Sequence, residues 1–129
     1  MRPYEEWIYM ARSSYNFAKA NTEDYVRYAD KCYMIQQAVE KAFKGLLIFF
    51  EVEPPYTHSI NVLLAEIEKF TKMSDEIKES AQLTIYAVQT RYSGSFHNIS
   101  EEDYHEALKI AENCLEWVEN RIKMNKEES

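Results

Sequence analysis

Turn-making residues are scarce in this chain, which has two glycines and three prolines among 129 residues. That leaves little material for tight turns and favours helices joined by short connections. Cysteine is equally scarce. Cys32 and Cys114 stand alone, with no Cys-x-x-Cys spacing to indicate a zinc site or a redox pair. Long apolar runs are missing: the longest, Leu46 to Phe50, falls far short of the roughly 20 residues that span a bilayer. Glu5 and Glu6 interrupt the N-terminal stretch where a signal peptide needs unbroken apolar residues. A cytoplasmic protein with reduced thiols is expected. Positive charge is in deficit, and a net charge of −7 argues against sequence-independent coating of nucleic acid, leaving room only for a local basic groove. There is no glycine-rich loop to cradle phosphates, which argues against autonomous NTP hydrolysis.

What is present is ordinary for a globular protein: 46% apolar and 29% charged residues, in a length that suits one domain over residues 1–129. Ten tyrosines and six phenylalanines supply large amphipathic or apolar faces, suited to a core or to an interface. No internal repeat, low-complexity block or linker marks a boundary.

Periodicity and capping residues predict five helices in an all-α antiparallel up-and-down bundle. The first covers residues 4–20, with Trp7, Met10, Ala11, Ser14 and Phe17/Ala18 on one stripe. The second covers residues 24–51, with Tyr28, Cys32, Ile35, Val39, Ala42, Leu46 and Phe49 along one seam. It is expected to end at Glu53-Pro54-Pro55. A third helix, capped by Thr57 or Ser59, turns Ile60, Leu63, Leu64 and Ile67 inward. The fourth starts at Ser74-Asp75-Glu76, aligns Ile77, Ala81, Ile85 and Val88, and carries Arg91 on its last turn before a reversal at Gly94. Ser100 to Asp103 forms a near capping box, with Asp in place of Glu or Gln. It opens a fifth helix whose seam is Tyr104, Leu108, Ala111, Leu115, Val118 and Ile122.

Within this frame, Gln36-Gln37-Ala38-Val39-Glu40-Lys41-Ala42-Phe43-Lys44-Gly45-Leu46-Leu47 resembles the signature second helix of the HEPN family (higher eukaryotes and prokaryotes nucleotide-binding domain). Thr57-His58-Ser59-Ile60 resembles that family's threonine–histidine stretch, and Arg91-Tyr92 resembles its arginine–tyrosine pair. Order and spacing agree from Trp7 to Ile122. The resemblance implies a helical bundle that commonly forms a homodimer with a cleft where helices or subunits meet. It also implies a minimal nucleotidyltransferase as partner, in two-component or toxin–antitoxin pairs. Some members bind nucleotides; another branch consists of metal-independent ribonucleases with an arginine and a histidine separated by four to six residues.

Two functions therefore compete. Arg91 and His97 are separated by five residues, which fits the ribonuclease spacing. Histidine suits proton abstraction from a ribose 2′-hydroxyl near neutral pH, and arginine suits the phosphorane charge. However, Tyr92 follows the arginine where ribonuclease members carry a small polar residue, and Gly94 points to His97 lying on a loop. The preferred reading is a dimeric module that binds a nucleotide or a nucleic-acid end such as RNA, with Gln37, Lys41, Lys44, His58, Arg91 and Tyr92 as ligand-binding candidates and Arg91/His97 as the catalytic alternative; a dimerisation partner with no ligand is the third reading. Gln37, Lys41 and Lys44 share one helix face, either as a basic lip for a phosphate or as a solvated face with a Glu40–Lys44 ion pair. His58 reads as a loop hydrogen-bonding residue or as a ligand contact. Tyr15, Tyr25, Tyr28, Tyr33, Tyr86, Tyr92 and Tyr104 exceed the needs of a small core and are candidates for a dimer interface or for base stacking. Glu102-x-x-His105 has the spacing of di-iron bundles but no second copy, so neither a metal nor a cofactor is expected.

Overall fold

The computed structural model describes residues 1–20, 26–89 and 99–128. Among these the chain forms helices and no strand: α1 (Pro3–Lys19), α2 (Tyr28–Phe49), α3 (Ile60–Ile67), α4 (Asp75–Lys78), a 3₁₀ turn (Glu79–Thr84), α5 (Ile85–Gln89) and α6 (Glu101–Glu128). The architecture is the expected helical bundle. The three pieces from Asp75 to Gln89 stand where the sequence predicts one fourth helix.

α2 lies at the centre, packed against α1, α3, α5 and α6. Its seam behaves as its spacing demands: Cys32, Ile35, Val39, Ala42 and Leu46 are at most 1% exposed. Gly45 permits the closest approach of α1, because a Cβ there would meet Ile8 Cδ1 at 2.9 Å and Trp7 Cβ at 3.0 Å. α3 buries all four predicted residues, and Ser59 is its N-cap, accepting from Val62 N–H. The Ser100–Asp103 box closes in both directions, with 3.0 Å from Asp103 N to Ser100 Oγ and 3.0 Å from Ser100 N to Asp103 Oδ2. On α6, Tyr104 donates its hydroxyl proton to the Ala18 carbonyl at 2.7 Å, pinning the end of α1.

Three features depart from the sequence reading. α1 turns Ala11, Ser14, Tyr15 and Ala18 inward, while Met10 and Phe17 are exposed. The inward stripe runs through Tyr4, Ala11, Ser14, Tyr15 and Ala18, which turns Met10 and Phe17 away from the core. In the fourth segment, Ile77 is buried but Ile85 is exposed, and Ser80, Leu83 and Ala87 take the inward places. The 3₁₀ turn winds at three residues per turn, which shifts the face presented downstream. Finally, α2 stops at Phe49, before the prolines. Glu51 adopts φ 65°, and its N–H reaches Ile48 O while Val52 N–H reaches Leu47 O, both at 2.9 Å. This is a Schellman cap built without glycine.

Candidate functional site

The polar residues of α2 occupy one arc of the helix. At 100° per residue, Gln36, Glu40, Lys44, Gln37 and Lys41 follow one another around it. The arc is bounded on one side by α1, where Lys41 Nζ donates to Ser14 Oγ at 3.0 Å. On the other side is the segment leading into α3, where His58 Nδ1 lies 3.0 Å from Glu40 Oε1.

Glu40 organises the cluster. It is 4% exposed, and burial alone would push its carboxyl pKa up. Hydrogen bonds from Lys44, His58 and Gln36 outweigh that cost and hold it below the ordinary glutamate value, so the group is a carboxylate. Lys44 Nζ donates to Oε2 at 2.9 Å, and Gln36 Nε2 donates to Oε1 at 3.1 Å. Gln36, itself fully buried, also donates to the His58 carbonyl at 3.2 Å and accepts from Gln37 Nε2 at 2.8 Å. These side chains are thus locked to one another, and the backbone before α3 is tied to α2.

This arrangement distinguishes the two lysines. Lys44 has its charge met by Glu40. Lys41 is bonded, among the described residues, only to a neutral hydroxyl, so its charge is uncompensated by any carboxylate there. Of the candidates, Lys44 and His58 bond Glu40 directly and Gln37 joins them through Gln36, whereas Lys41 reaches Ser14 on α1. Sequence reading places Glu40 only as Lys44's surface partner, although its position directly after Val39 of the apolar seam is a sign of burial. Arg91, Tyr92 and His97 lie outside the described residues, as do Tyr25 and Gly94.

Cys32 and Cys114 are free and buried, and burial pushes both thiols up to about 12, so neither ionises near neutrality. His105 Nε2 lies 3.4 Å from Glu101 Oε1 on the exposed face of α6. No group of three or more His, Cys, Asp or Glu side chains among the described residues is placed to hold a metal ion. No helix among them is long and apolar enough to cross a membrane. Of the tyrosines singled out as surplus, Tyr15 and Tyr104 belong to the core. Among the described residues the strongly exposed aromatics are instead Tyr9 and Phe17 on α1, each 67% exposed, and Tyr56 before α3. A groove of about 430 Å³ between α1 and α6, lined by Tyr4, Ile8, Tyr9, Arg12, Glu119 and Lys126, shares no residue with the Glu40 cluster.

Comparison with known proteins finds the same fold elsewhere. The HEPN domain family matches residues 4–121. The crystal structure of TT1696 from Thermus thermophilus superposes with a TM-score of 0.80 at 29% identity, covering 93% of this chain and 98% of that one. The crystal structure of ST0689, an archaeal HEPN homologue, gives 0.74 at 29% identity, covering 95% and 99%. No curated protein matches the chain.

Proposed function

The chain belongs to the HEPN family, and from that premise we propose that it is a nucleotide-binding helical module that acts as a homodimer beside a minimal nucleotidyltransferase. The observation that carries the binding reading is the uncompensated charge of Lys41 on the family's signature helix, next to a lysine already neutralised by Glu40. In a chain of net charge −7, a cation left without a carboxylate favours an anionic ligand, and phosphate is the anion a nucleotide offers. Arg91, with its fork of donors, and Tyr92, with a ring for base stacking, complete the proposed site. The exposed apolar side chains of α1, Tyr9 and Phe17, support the dimer, since apolar surface left by a small bundle is commonly covered by another protein surface.

Calorimetry with ATP tests the binding. Wild type should bind, and a Lys41→Ala, Arg91→Ala double variant should lose at least about tenfold in affinity; equal affinities would place the ligand elsewhere. Sedimentation should give twice the chain mass, and a clean monomer would refute the dimer. The second reading, a metal-independent ribonuclease using Arg91 and His97, is favoured by their spacing. RNA incubated with the protein in EDTA should survive. Cleavage that leaves 2′,3′-cyclic phosphates and vanishes in His97→Ala would establish the nuclease instead.

A further inference from the structure

We infer that Glu40 is a positioning residue for His58, holding the imidazole so that Nε2 presents a lone pair outward to accept a hydrogen bond from a sugar hydroxyl of the bound nucleotide. The inference rests on the nucleotide-binding reading and goes beyond it, because it assigns the ligand atom that His58 takes.

The geometry fixes the tautomer. Glu40 is ionised and can only accept, so Nδ1 of His58, at 3.0 Å, must be the donor. In the neutral ring the proton then sits on Nδ1, and Nε2 is an acceptor. Glu40 cannot readily turn away. It is 4% exposed, its second oxygen is held by Lys44, and Gln36 braces both Glu40 and the His58 carbonyl. Backbone and ring of His58 are therefore fixed at once. Its side chain is 51% exposed, and Nε2 has no partner among the described residues. A buried carboxylate behind an outward-facing imidazole is the arrangement that orients histidines which meet ligands.

The ligand chemistry follows from what an acceptor can take. Phosphate oxygens at neutral pH are acceptors and cannot pair with a bare lone pair. A nucleotide's donors are its sugar hydroxyls and the amines or imides of its base. Lys41 lies across the α2 arc from His58, on the side bounded by α1, and supplies the cation for the phosphate. The sugar is the part of the nucleotide joined to that phosphate, so its hydroxyl is the donor brought to His58. Among the described residues, the charged groups bonded in this cluster are Glu40, in direct contact with the ring, and Lys44, on the far oxygen of the same carboxylate.

Two measurements test this. Long-range nitrogen–proton NMR of the wild-type protein, followed across pH and read where the ring carries one proton, should show His58 with a protonated Nδ1 and a bare Nε2; the opposite tautomer overturns the inference without any variant. Calorimetry should then show ATP binding at least about tenfold more tightly than 2′,3′-dideoxy-ATP, the ratio expected for loss of one well-made hydrogen bond to a fixed partner. His58→Ala should abolish that ratio, whereas Lys41→Ala should weaken both ligands alike. Equal binding of the two ligands by wild type refutes the hydroxyl contact and leaves the nucleotide reading standing. Binding of neither refutes the nucleotide reading, and the hydroxyl contact with it.

Discussion

Arg12 on α1 and Glu119 on α6, 107 residues apart in sequence, meet through paired hydrogen bonds of 3.1 Å from Nε and 2.7 Å from Nη2. A third bond of 2.8 Å joins Arg12 to Glu112, one face of α6 carrying both acids together with Glu116. The guanidinium is raised further above its ordinary pKa, chiefly by the Glu119 hydrogen bond, and stays charged at any working pH. Lysine supplies the charge but not the fork. Arg12→Lys should therefore cost about 1 kcal/mol, a value already reduced for partial exposure of the pair. Arg12→Ala should cost more at low salt, where Glu112, Glu116 and Glu119 repel one another unscreened, and urea midpoints at two ionic strengths should show that difference shrinking as salt is added. A gap independent of salt would count against this account.

Acid sensitivity should trace in part to Glu40. Its folded-state pKa is lowered, so the stabilisation it brings is complete above the unfolded glutamate value near about pH 4.3. That stabilisation drains away as pH falls through the lower, folded value. The acid limb of a stability-against-pH curve should be shallower in Glu40→Gln than in wild type. Glu40→Ala, which strands Gln36 and Lys44 beside a void, should cost about 3 kcal/mol at neutral pH. Superimposable acid limbs for wild type and Glu40→Gln would remove Glu40 from the explanation.

The cap of α2 holds a removable strain. Glu51 sits at φ 65°, where a Cβ is crowded and glycine is not. Glu51→Gly should raise stability by about 1 kcal/mol, read as an upward shift in denaturant midpoint with the slope unchanged. A loss of stability would mean that the carboxylate contributes more than the strain costs.

Gly45 should resist the change that helix propensity recommends. Alanine would gain about 1 kcal/mol in an isolated helix. Here its Cβ would lie 3.0 Å from Trp7 Cβ, an atom fixed to the α1 backbone, and 2.9 Å from the more yielding Ile8 Cδ1. Separating α1 from α2 loosens the largest helix pairing in the bundle, so Gly45→Ala should come out destabilising by about 1 kcal/mol and Gly45→Val by more. Thermal unfolding of both variants checks the order.

The bundle is readable in the sequence wherever spacing is regular and local. Ile60, Leu63, Leu64 and Ile67 repeat at helical intervals and are all buried, and the Ser100–Asp103 box is visible four residues at a time. The fourth segment is misread because a 3₁₀ turn has no strong residue signature, and one such turn moves Leu83 inward and Ile85 outward. The functional cluster is legible in its members but only partly in its wiring. Lys44 has Glu40 four residues before it and Lys41 has Gln37 there, so the ion pair is visible locally, whereas the Ser14 partner of Lys41, 27 residues away, is not. The Glu40–His58 contact, like that of Arg12 with Glu119, depends on chain segments that meet only after folding.

The central place of α2 bears on how binding would be felt across the molecule. A helix enclosed by α1, α3, α5 and α6 exposes its amides to solvent exchange only when the surrounding helices separate, so its slowest-exchanging amides should report global unfolding. Gln36, Glu40, Lys41 and Lys44 ride on that helix, and Gln36 and Glu40 also hold His58. A ligand held by Lys41 and His58 would therefore have no partly opened form to which it can stay attached. Its whole binding free energy adds to the stability of the fold, and the melting temperature should climb steadily with the logarithm of ligand concentration once the site is saturated.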